Sequence, residues 1–318
     1  MAESQSNVAV YAGLIGNLLV AVTKGIAAAW TGSSSMLSEA VHSLVDTGNG
    51  VLLLYGMHRA SERPDATHPF GYGRELYFWS FIVALLIFAL GSGVSILQGI
   101  AHIRAPEEIN DPIVNYVVLA FAFVFEGASW TIALRKFREV KGDLGYVEAF
   151  RRSKDPPSFM VMFEDSAALI GIVIAAIGTF ASAHLGVPTM DGVASILIGV
   201  VLAVTSMLLA RESKSLLIGE RARQSLSEAI VRVAANEPGV KSANGIITTQ
   251  MGPDQIVAAL SIDFANELTA QDVERIVAEI ERKVRGEHPE VVTLFVKPQS
   301  DAAFREAVAQ RYGDGQPA

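Results

Sequence analysis

His42 and Asp46 stand four residues apart in SSMLSEAVHSLVDTGNGVLLLYG, residues 34–56, which are otherwise largely apolar. In an α-helix, side chains four residues apart lie on the same face. An imidazole and a carboxylate together suit zinc or a similar divalent ion. At bilayer depth an ionisable group costs roughly 2.5 to 3.5 kcal/mol on insertion scales, so it usually marks a functional site. The spacing predicts a divalent-metal site; the alternative is a structural hydrogen bond within the pair or to a neighbouring helix.

Other charged residues occur inside apolar stretches. Glu164 and Asp165 are adjacent in VMFEDSAALIG, and adjacent helical residues point about 100° apart, so we expect only one of them to face an ion. Glu126 lies nearer mid-helix, where a buried hydrogen bond and a proton relay are equally compatible with the sequence. Lys24 and Glu39 lie toward the ends of their segments, where snorkelling is a sufficient explanation.

Two further positions have alternative interpretations. Asp191 follows Pro188 and Thr189, so it either stabilises the start of a helix or serves as a ligand. In RPDATHPFGYGREL, Asp65 and His68 are three residues apart, with Tyr72 one turn further if the segment is helical. This second pair is a candidate metal site, although a surface Asp and His this close are more often simply solvated.

The elements that must carry these residues are apolar segments long enough to cross a membrane. About 20 mostly apolar residues span the hydrocarbon core of a bilayer. The segments that meet this test are 7–29, 34–57, 76–101, 111–134, 158–183 and 189–210. The sequence therefore predicts six transmembrane helices.

The distribution of Lys and Arg predicts the orientation of these helices. Basic residues are concentrated in the connections after the second, fourth and sixth segments, whereas the opposite connections contain only Arg104. Cytoplasmic flanks are enriched in such residues, so both termini are predicted to be cytoplasmic. The leading MAESQSN lacks the basic region of a signal peptide, so we expect the first segment to be retained.

Composition excludes several kinds of protein. With 51% hydrophobic residues, the chain is too apolar for an ordinary soluble protein. It contains no cysteine, so any metal ligands must come from His, Asp, Glu or Asn. The net charge of −8 gives no support to nucleic-acid binding, which requires a basic face.

From Arg211 onward the charge density rises and the pattern becomes that of a small α+β domain. An amphipathic helix with Ser225 or Ser227 as its cap is followed by two strands, a helix and a last strand. The second helix is expected to begin at a Thr269–Asp272 capping box and to stop at Gly286. The order α-β-β-α-β predicts a small antiparallel sheet backed by two helices, and a short helix with a frayed end after Pro298.

Together these features resemble the cation diffusion facilitator family of divalent-metal transporters. The resemblance covers nearly the whole chain. It rests on the six spans, on a ferredoxin-like tail and on the runs SMLSEAVHSLVDTGNG, HPFGYGRELYFW, EDSAALIG and DGVASILIG. ESKSLLIGE, which leads into the tail, is similar to the branch that contains the zinc transporter nine group.

The resemblance implies a ligand set. In the family, two residues of helix two and two of helix five surround one ion; His42 and Asp46 match the first pair and Asp165 one member of the second. The remaining position is Val161, so water, Asn49 or Glu164 would complete the site, and an oxygen-rich set leans toward harder ions such as manganese. In the loop, Asp65 and His68 match but Tyr72 replaces the usual histidine.

The resemblance also implies a fold and a function. The expected fold is an α-helical membrane bundle of six transmembrane helices (1–211), a cytoplasmic α+β ferredoxin-like domain (212–298) and a C-terminal tail (299–318). The expected function is efflux of a divalent cation, zinc first, by proton antiport with alternating access. Manganese, iron or another divalent cation is the alternative cargo.

The expected partners are the metal ion, protons, the lipid bilayer and a second copy of the chain, with no prosthetic group. The chain is expected to be a multi-pass integral membrane protein, located in the inner membrane if it comes from a bacterium. His288 is the sole histidine of residues 212–298, so metal-dependent pairing of the tail is not expected. An intramembrane metalloenzyme and a membrane-anchored metal sensor are rival interpretations, weakened by the absence of an HExxH motif and by the histidine-poor tail.

Overall fold

The computed structural model describes residues 2–142 and 144–312; the side chains of residues 2–13, 140, 147, 151 and 312, and the last residues of the predicted tail, lie outside this description. The chain divides into two compact units. One contains Met1–His58 and Glu75–Lys214, and the other contains Ser215–Ala318. The second unit also includes Arg59–Arg74, the connection that the sequence places between two membrane helices.

The first unit is entirely helical in its described part. Its elements are α1 (Ala2–Thr31), α2 (Ser34–Ala60), α3 (Arg74–Leu86), a π-helical turn (Ile87–Ser92), α4 (Gly93–Arg104), α5 (Pro112–Lys141), α6 (Tyr146–Arg152), α7 (Pro156–His184) and α8 (Thr189–Ile218).

Five stretches among the described residues are long and apolar enough to cross a membrane. They are Leu14–Thr31, Arg74–Arg104, Pro112–Glu139, Pro156–His184 and Thr189–Ile218. The helix α2 is long enough but is not in this set, because serines, Glu39, His42, Asp46 and Asn49 lower its hydropathy. The hydropathy of the helices therefore supports five of the six predicted spans, and the chain is a multi-pass membrane protein.

Large apolar side chains point away from the helical core. On α5, for example, the exposed fractions of Ile113, Phe121 and Val124 are 73%, 75% and 71%. A helix that presents such residues outward is suited to a lipid environment, where its backbone polar groups are satisfied internally. Apolar residues of α2, α7 and α8, including Met36, Phe159 and Leu202, form the buried interior.

Two helices of the bundle approach within backbone contact. A side-chain carbon added at Gly99 of α4 would lie 2.5 Å from the carbonyl oxygen of Gly192 in α8. Only glycine permits this spacing, which is typical of small-residue contacts between membrane helices. The contact brings α4 alongside the start of α8.

The second unit is an α+β domain. It contains α9 (Gln224–Ala235), β1 (Val240–Gly252), β2 (Gln255–Phe264), α10 (Ala270–Glu287), β3 (Val291–Pro298) and α11 (Asp301–Tyr312). The strand order is β1-β2-β3. The side chains of Ile276, Ile280 and Val284 form one buried stripe on α10, as expected for an amphipathic helix on a sheet.

The predicted antiparallel sheet is only half right. Strands β1 and β2 form an antiparallel hairpin, with Val240 opposite Phe264, but β2 and β3 are parallel, with Ile256 opposite Val291. The cause is α10, a crossover helix that returns the chain to the end of the sheet from which β2 began.

The predicted helix ends are partly confirmed. Thr269 and Asp272 form the predicted capping box. The prediction of a serine cap for α9 is wrong, because the residue at that position is Arg223 and it makes no side-chain capping bond. The helix α10 also continues one residue past Gly286, to Glu287.

Candidate metal centre

The helix α2 brings the predicted pair together. His42 Nδ1 lies 3.5 Å from Asp46 Oδ1, and His42 is 1% exposed. This distance exceeds that of a normal N–H···O bond. Among the described residues, neither imidazole nitrogen nor Asp46 Oδ1 has a hydrogen-bond partner. In the described part of the chain, these three atoms therefore form no structural hydrogen bond, either within the pair or to a neighbouring helix.

The two acidic residues of α7 point to different neighbours. Glu164 Oε1 accepts a 3.1 Å hydrogen bond from the side-chain amide of Asn49 on α2. Asp165 Oδ2 accepts a 2.8 Å hydrogen bond from the Ser129 hydroxyl on α5. Both carboxylates are buried, and both lie close enough to Asp46 to interact with it electrostatically.

These groups are neighbours without forming a closed coordination sphere. Among residues 2–142 and 144–312, no three His, Asp or Glu side chains are arranged to hold one metal ion. Asp46 lies within electrostatic range of both α7 carboxylates, but Asn49 and Ser129 hold those carboxylates toward α2 and α5 respectively. The arrangement is a cluster of ligand-type groups carried by three helices.

Glu126 belongs to the same cluster. Its side chain on α5 is 5% exposed and lies within electrostatic range of His42, Asp46 and Asp165. Ser129 stands three residues further along α5, so it shares a helical face with Glu126. Ser129 was not among the site residues predicted from the sequence. The only sequence feature that could have indicated Ser129 is its spacing of three residues from Glu126. Serine is too common in membrane helices for such a spacing to be informative.

The prediction that Lys24 and Glu39 snorkel is wrong. Both side chains are completely buried, and Lys24 Nζ lies 2.9 Å from Glu39 Oε2. Lys24 also donates a 2.9 Å hydrogen bond to the Ser43 hydroxyl. Neutralisation by a partner on the adjacent helix, rather than extension toward water, makes their burial tolerable.

Asp191 stabilises a helix other than its own. Its Oδ2 accepts a 2.5 Å hydrogen bond from the Ser34 backbone N–H and a 3.3 Å bond from that of Ser35. Its Oδ1 accepts from the hydroxyls of Ser33 and Ser35. Four N–H groups at the start of an α-helix lack intrahelical partners; the Ser33 hydroxyl accepts from that of Met36, and Asp191 of α8 accepts from those of Ser34 and Ser35, so it completes the cap of α2. Since both of its oxygens are occupied, the capping interpretation is favoured over a ligand role.

The Asp65–His68 pair lies in the other unit and has a local structural role. The segment is not helical, contrary to the condition under which Tyr72 would follow one turn later. Asp65 Oδ1 accepts bonds from the backbone N–H groups of Thr67 and His68, and Oδ2 accepts from the Tyr72 hydroxyl at 2.7 Å. The Tyr72 bond, and then the backbone bonds, hold the pKa of Asp65 below its usual value.

The loop that contains Asp65 packs on the sheet of its unit. The ring of Phe70 meets that of Phe295 on β3 edge to face, with centroids 6.4 Å apart. Edge-to-face pairs of this kind are favourable beyond the area they bury. The loop is thus a structural part of the α+β unit.

The helices and the cluster define a class: a multi-pass membrane protein with buried histidine, carboxylate and amide groups between its helices, joined to a small α+β unit. Residues 10–218 match the family model described as the cation efflux transmembrane domain. Residues 222–299 match the one described as the cation efflux protein, cytoplasmic domain. The chain belongs to the cation efflux family.

Curated relatives extend this comparison. The chain is 31% identical over 280 residues to the mitochondrial proton-coupled zinc antiporter SLC30A9 of Xenopus laevis, covering 85% of this chain and 50% of the relative. It is 30% identical over 288 residues to metal tolerance protein C4 of Arabidopsis thaliana, covering 90% and 62%. It is 26% identical over 285 residues to the cation-efflux pump FieF of Cronobacter sakazakii, covering 89% of each. The chain therefore spans about half the length of the first of these relatives.

Proposed function

We propose that this protein is a secondary transporter that expels a divalent cation, zinc first, in exchange for protons. The observation that carries the proposal is the buried His42–Asp46 pair, with ligand atoms that have no hydrogen-bond partner among the described residues, beside the α7 carboxylates. Membership of the cation efflux family, and the similarity to relatives that include a proton-coupled zinc antiporter, support the same activity.

The proposed ligands are His42 and Asp46 of α2 and Asp165 of α7. Glu164 and Asn49 are the candidates to complete the set: Asn49 follows Asp46 by about one turn of α2 and donates a hydrogen bond to Glu164, which interacts electrostatically with Asp46. Val161, where the family has its fourth ligand, is 38% exposed and supplies no donor atom. A set richer in oxygen keeps manganese and iron open as alternative cargoes.

Proton coupling follows from the chemistry of these groups. A metal ion binds neutral imidazole and ionised carboxylate, so loading the site displaces protons and protonation displaces the metal. Alternating access requires the site to open to each side in turn. In the described arrangement, Asn49 and Ser129 hold the α7 carboxylates apart, so enclosing one ion requires these contacts to change.

The membrane topology is part of the proposal. We take α2 as the sixth span, because its polar residues are turned into the bundle: Glu39, His42 and Asn49 are each buried. The bias of Lys and Arg supports cytoplasmic termini. Since the chain has no cysteine, Ser153→Cys gives a single labelling site. Labelling by a membrane-impermeant maleimide in intact cells would contradict this orientation.

The proposed assembly is a homodimer that pairs without metal. The family model matched by residues 222–299 and the lack of any histidine there except His288 support this arrangement. Cross-linking and light scattering of the purified protein measure it directly. Conversion to monomers by chelator alone would reveal a bridging metal site instead.

Transport by purified protein in proteoliposomes tests the function. We expect zinc to accumulate against its gradient when a pH gradient is imposed, and His42→Ala and Asp46→Asn each to abolish this flux. Thr47→Ala is a matched control, because the Thr47 hydroxyl bonds only to the Ser43 carbonyl of its own helix in the contacts described. A metalloenzyme or a membrane-anchored sensor would give no pH-driven accumulation, and wild-type flux from both ligand variants would remove α2 from the mechanism.

A further inference from the structure

The ion pair between Lys24 and Glu39 is the most deeply buried pair of opposite charges among the described residues. Each side chain has zero exposure, and the ammonium is shared between Glu39 Oε2 and the Ser43 hydroxyl, both at 2.9 Å. Replacing such a pair by neutral residues of similar volume is often neutral or stabilising, because desolvation offsets the attraction. Stability alone therefore does not account for these charges.

Only one of the two Glu39 carboxylate oxygens contacts Lys24. Its second oxygen, Oε1, is buried and has no hydrogen-bond partner in the described part of the chain. This atom lies against Gly171 of α7, and a side-chain carbon at Gly171 would overlap it. Glycine at this position lets a carboxylate oxygen of α2 approach the backbone of α7, beyond Asp165 along the same helix.

The pair lies beside the candidate metal centre. Glu39 precedes His42 by one helical turn, and Ser43, which accepts a bond from Lys24, is adjacent to His42. The Lys24 ammonium is close enough to Asp46 and Glu126 to act on both electrostatically, and Glu39 acts on Asp46 as well. A resident cation and a resident anion thus both influence the region where a transported ion would bind.

We propose that Lys24 and Glu39 set the affinity of the transport site through opposing electrostatic effects. Lys24 repels the divalent cation and limits how tightly it is held, while Glu39 attracts the cation and limits the repulsion by Lys24. Neither residue is a ligand; both act through the ligands of the site. The inference rests on the proposed function.

The two charges should change metal binding in opposite directions. Lys24→Met leaves Glu39 without its counter-charge, so we expect the zinc Kd and KM to fall by about tenfold and kcat to fall because release slows. Glu39→Gln leaves Lys24 without its counter-charge, so we expect Kd and KM to rise by about tenfold. The double variant Lys24→Met/Glu39→Gln removes both effects and should bind zinc close to the wild-type affinity.

Isothermal titration with zinc and proteoliposome kinetics measure these values, with Asp46→Asn as the reference for the site itself. If the pair were only structural, zinc affinity would change in the same direction in both single variants, and both would lose thermal stability. That result, or an unchanged zinc affinity in both single variants, would overturn the inference. If Asp46→Asn still loses zinc binding, the proposed function is unaffected by that outcome. Zinc binding in Asp46→Asn as tight as in the wild type would overturn the proposed site, whatever the affinities of the Lys24 and Glu39 variants.

A more conservative variant covers the case in which Lys24→Met does not fold. Lys24→Gln removes the ammonium charge but keeps an amide that can donate to Glu39 and Ser43. We expect tighter zinc binding than in the wild type, because the repelling charge is gone. Equal or weaker binding would contradict the proposed effect of Lys24.

Discussion

The Asn49 side-chain amide on α2 donates a hydrogen bond to Glu164 Oε1 on α7, with the two atoms 3.1 Å apart. The next residue of α7, Asp165, is turned toward α5 and is held by Ser129. One helix thus presents two neighbouring carboxylates to two different helices, as the 100° rotation per residue requires. The two carboxylates should have separable roles.

The first prediction separates these roles. Asp165→Asn should reduce zinc transport by at least about 100-fold, since the variant removes a charged ligand from the proposed set. Glu164→Gln should lower the rate by about tenfold or less, because a glutamine keeps the side-chain oxygen that accepts from Asn49. Initial rates in proteoliposomes give both values. Retained transport in Asp165→Asn with inactive Glu164→Gln would show that the ligand is Glu164.

The second prediction concerns metal preference. Val161 precedes Asp165 by one turn of α7, so Val161→His adds an imidazole at the position where the family resemblance implies a fourth ligand. We expect the ratio of zinc to manganese transport to rise by about tenfold, because imidazole favours zinc over harder ions. Competition between the two metals in one assay measures the ratio, and Val161→Ala controls for the loss of the apolar side chain. An unchanged ratio would mean that residue 161 does not reach the ion.

The third prediction concerns Asp191. Asp191→Ala removes the acceptor for two backbone N–H groups at the start of α2, so we expect a loss of about 1 to 2 kcal/mol in unfolding free energy. Thermal unfolding in detergent measures the change. Asp254→Ala, in an exposed turn, is the control and should unfold like the wild type. If Asp191 were a ligand, its loss would weaken zinc binding in protein that remains folded.

The fourth prediction concerns pH. The Tyr72 hydroxyl lowers the pKa of Asp65 from its ordinary 3.8, so the loop gains stability from ionised Asp65 above that pH. This contribution is lost as the pH falls below 3.8 and through the lower folded value. Tyr72→Phe should raise the pKa of Asp65 toward 3.8, as followed by carbon NMR titration of labelled aspartate.

His68→Gln is the matched control for this titration, because it keeps the backbone N–H that bonds to Asp65. Its effect on the pKa of Asp65 should be small. Zinc bound at a second site in wild-type protein, and lost in His68→Gln, would contradict the structural interpretation of the loop.

Many features of this molecule can be predicted from the local sequence pattern. The features that cannot be predicted in this way depend on tertiary contacts. The spacing of His42 and Asp46, the apolar segments and the Thr269 capping box are properties of consecutive residues. The pairing of Lys24 with Glu39 is not, since it requires knowing that α1 and α2 bring these positions together. The parallel direction of β3 is set by where α10 returns the chain, which the strand sequence itself does not encode.

The cap on α2 also has a consequence for the order in which the chain is assembled. The Asp191 carboxylate that accepts from Ser34 lies 157 residues further along the chain, so the ribosome makes α2 long before this part of its cap exists. Until α8 is inserted, the N–H groups of Ser34 and Ser35 must be satisfied by water or lipid headgroups at the membrane surface. Docking of α8 against this end of α2 thus becomes a late step of biogenesis, and chains truncated before residue 191 would expose an unfinished helix to membrane quality control.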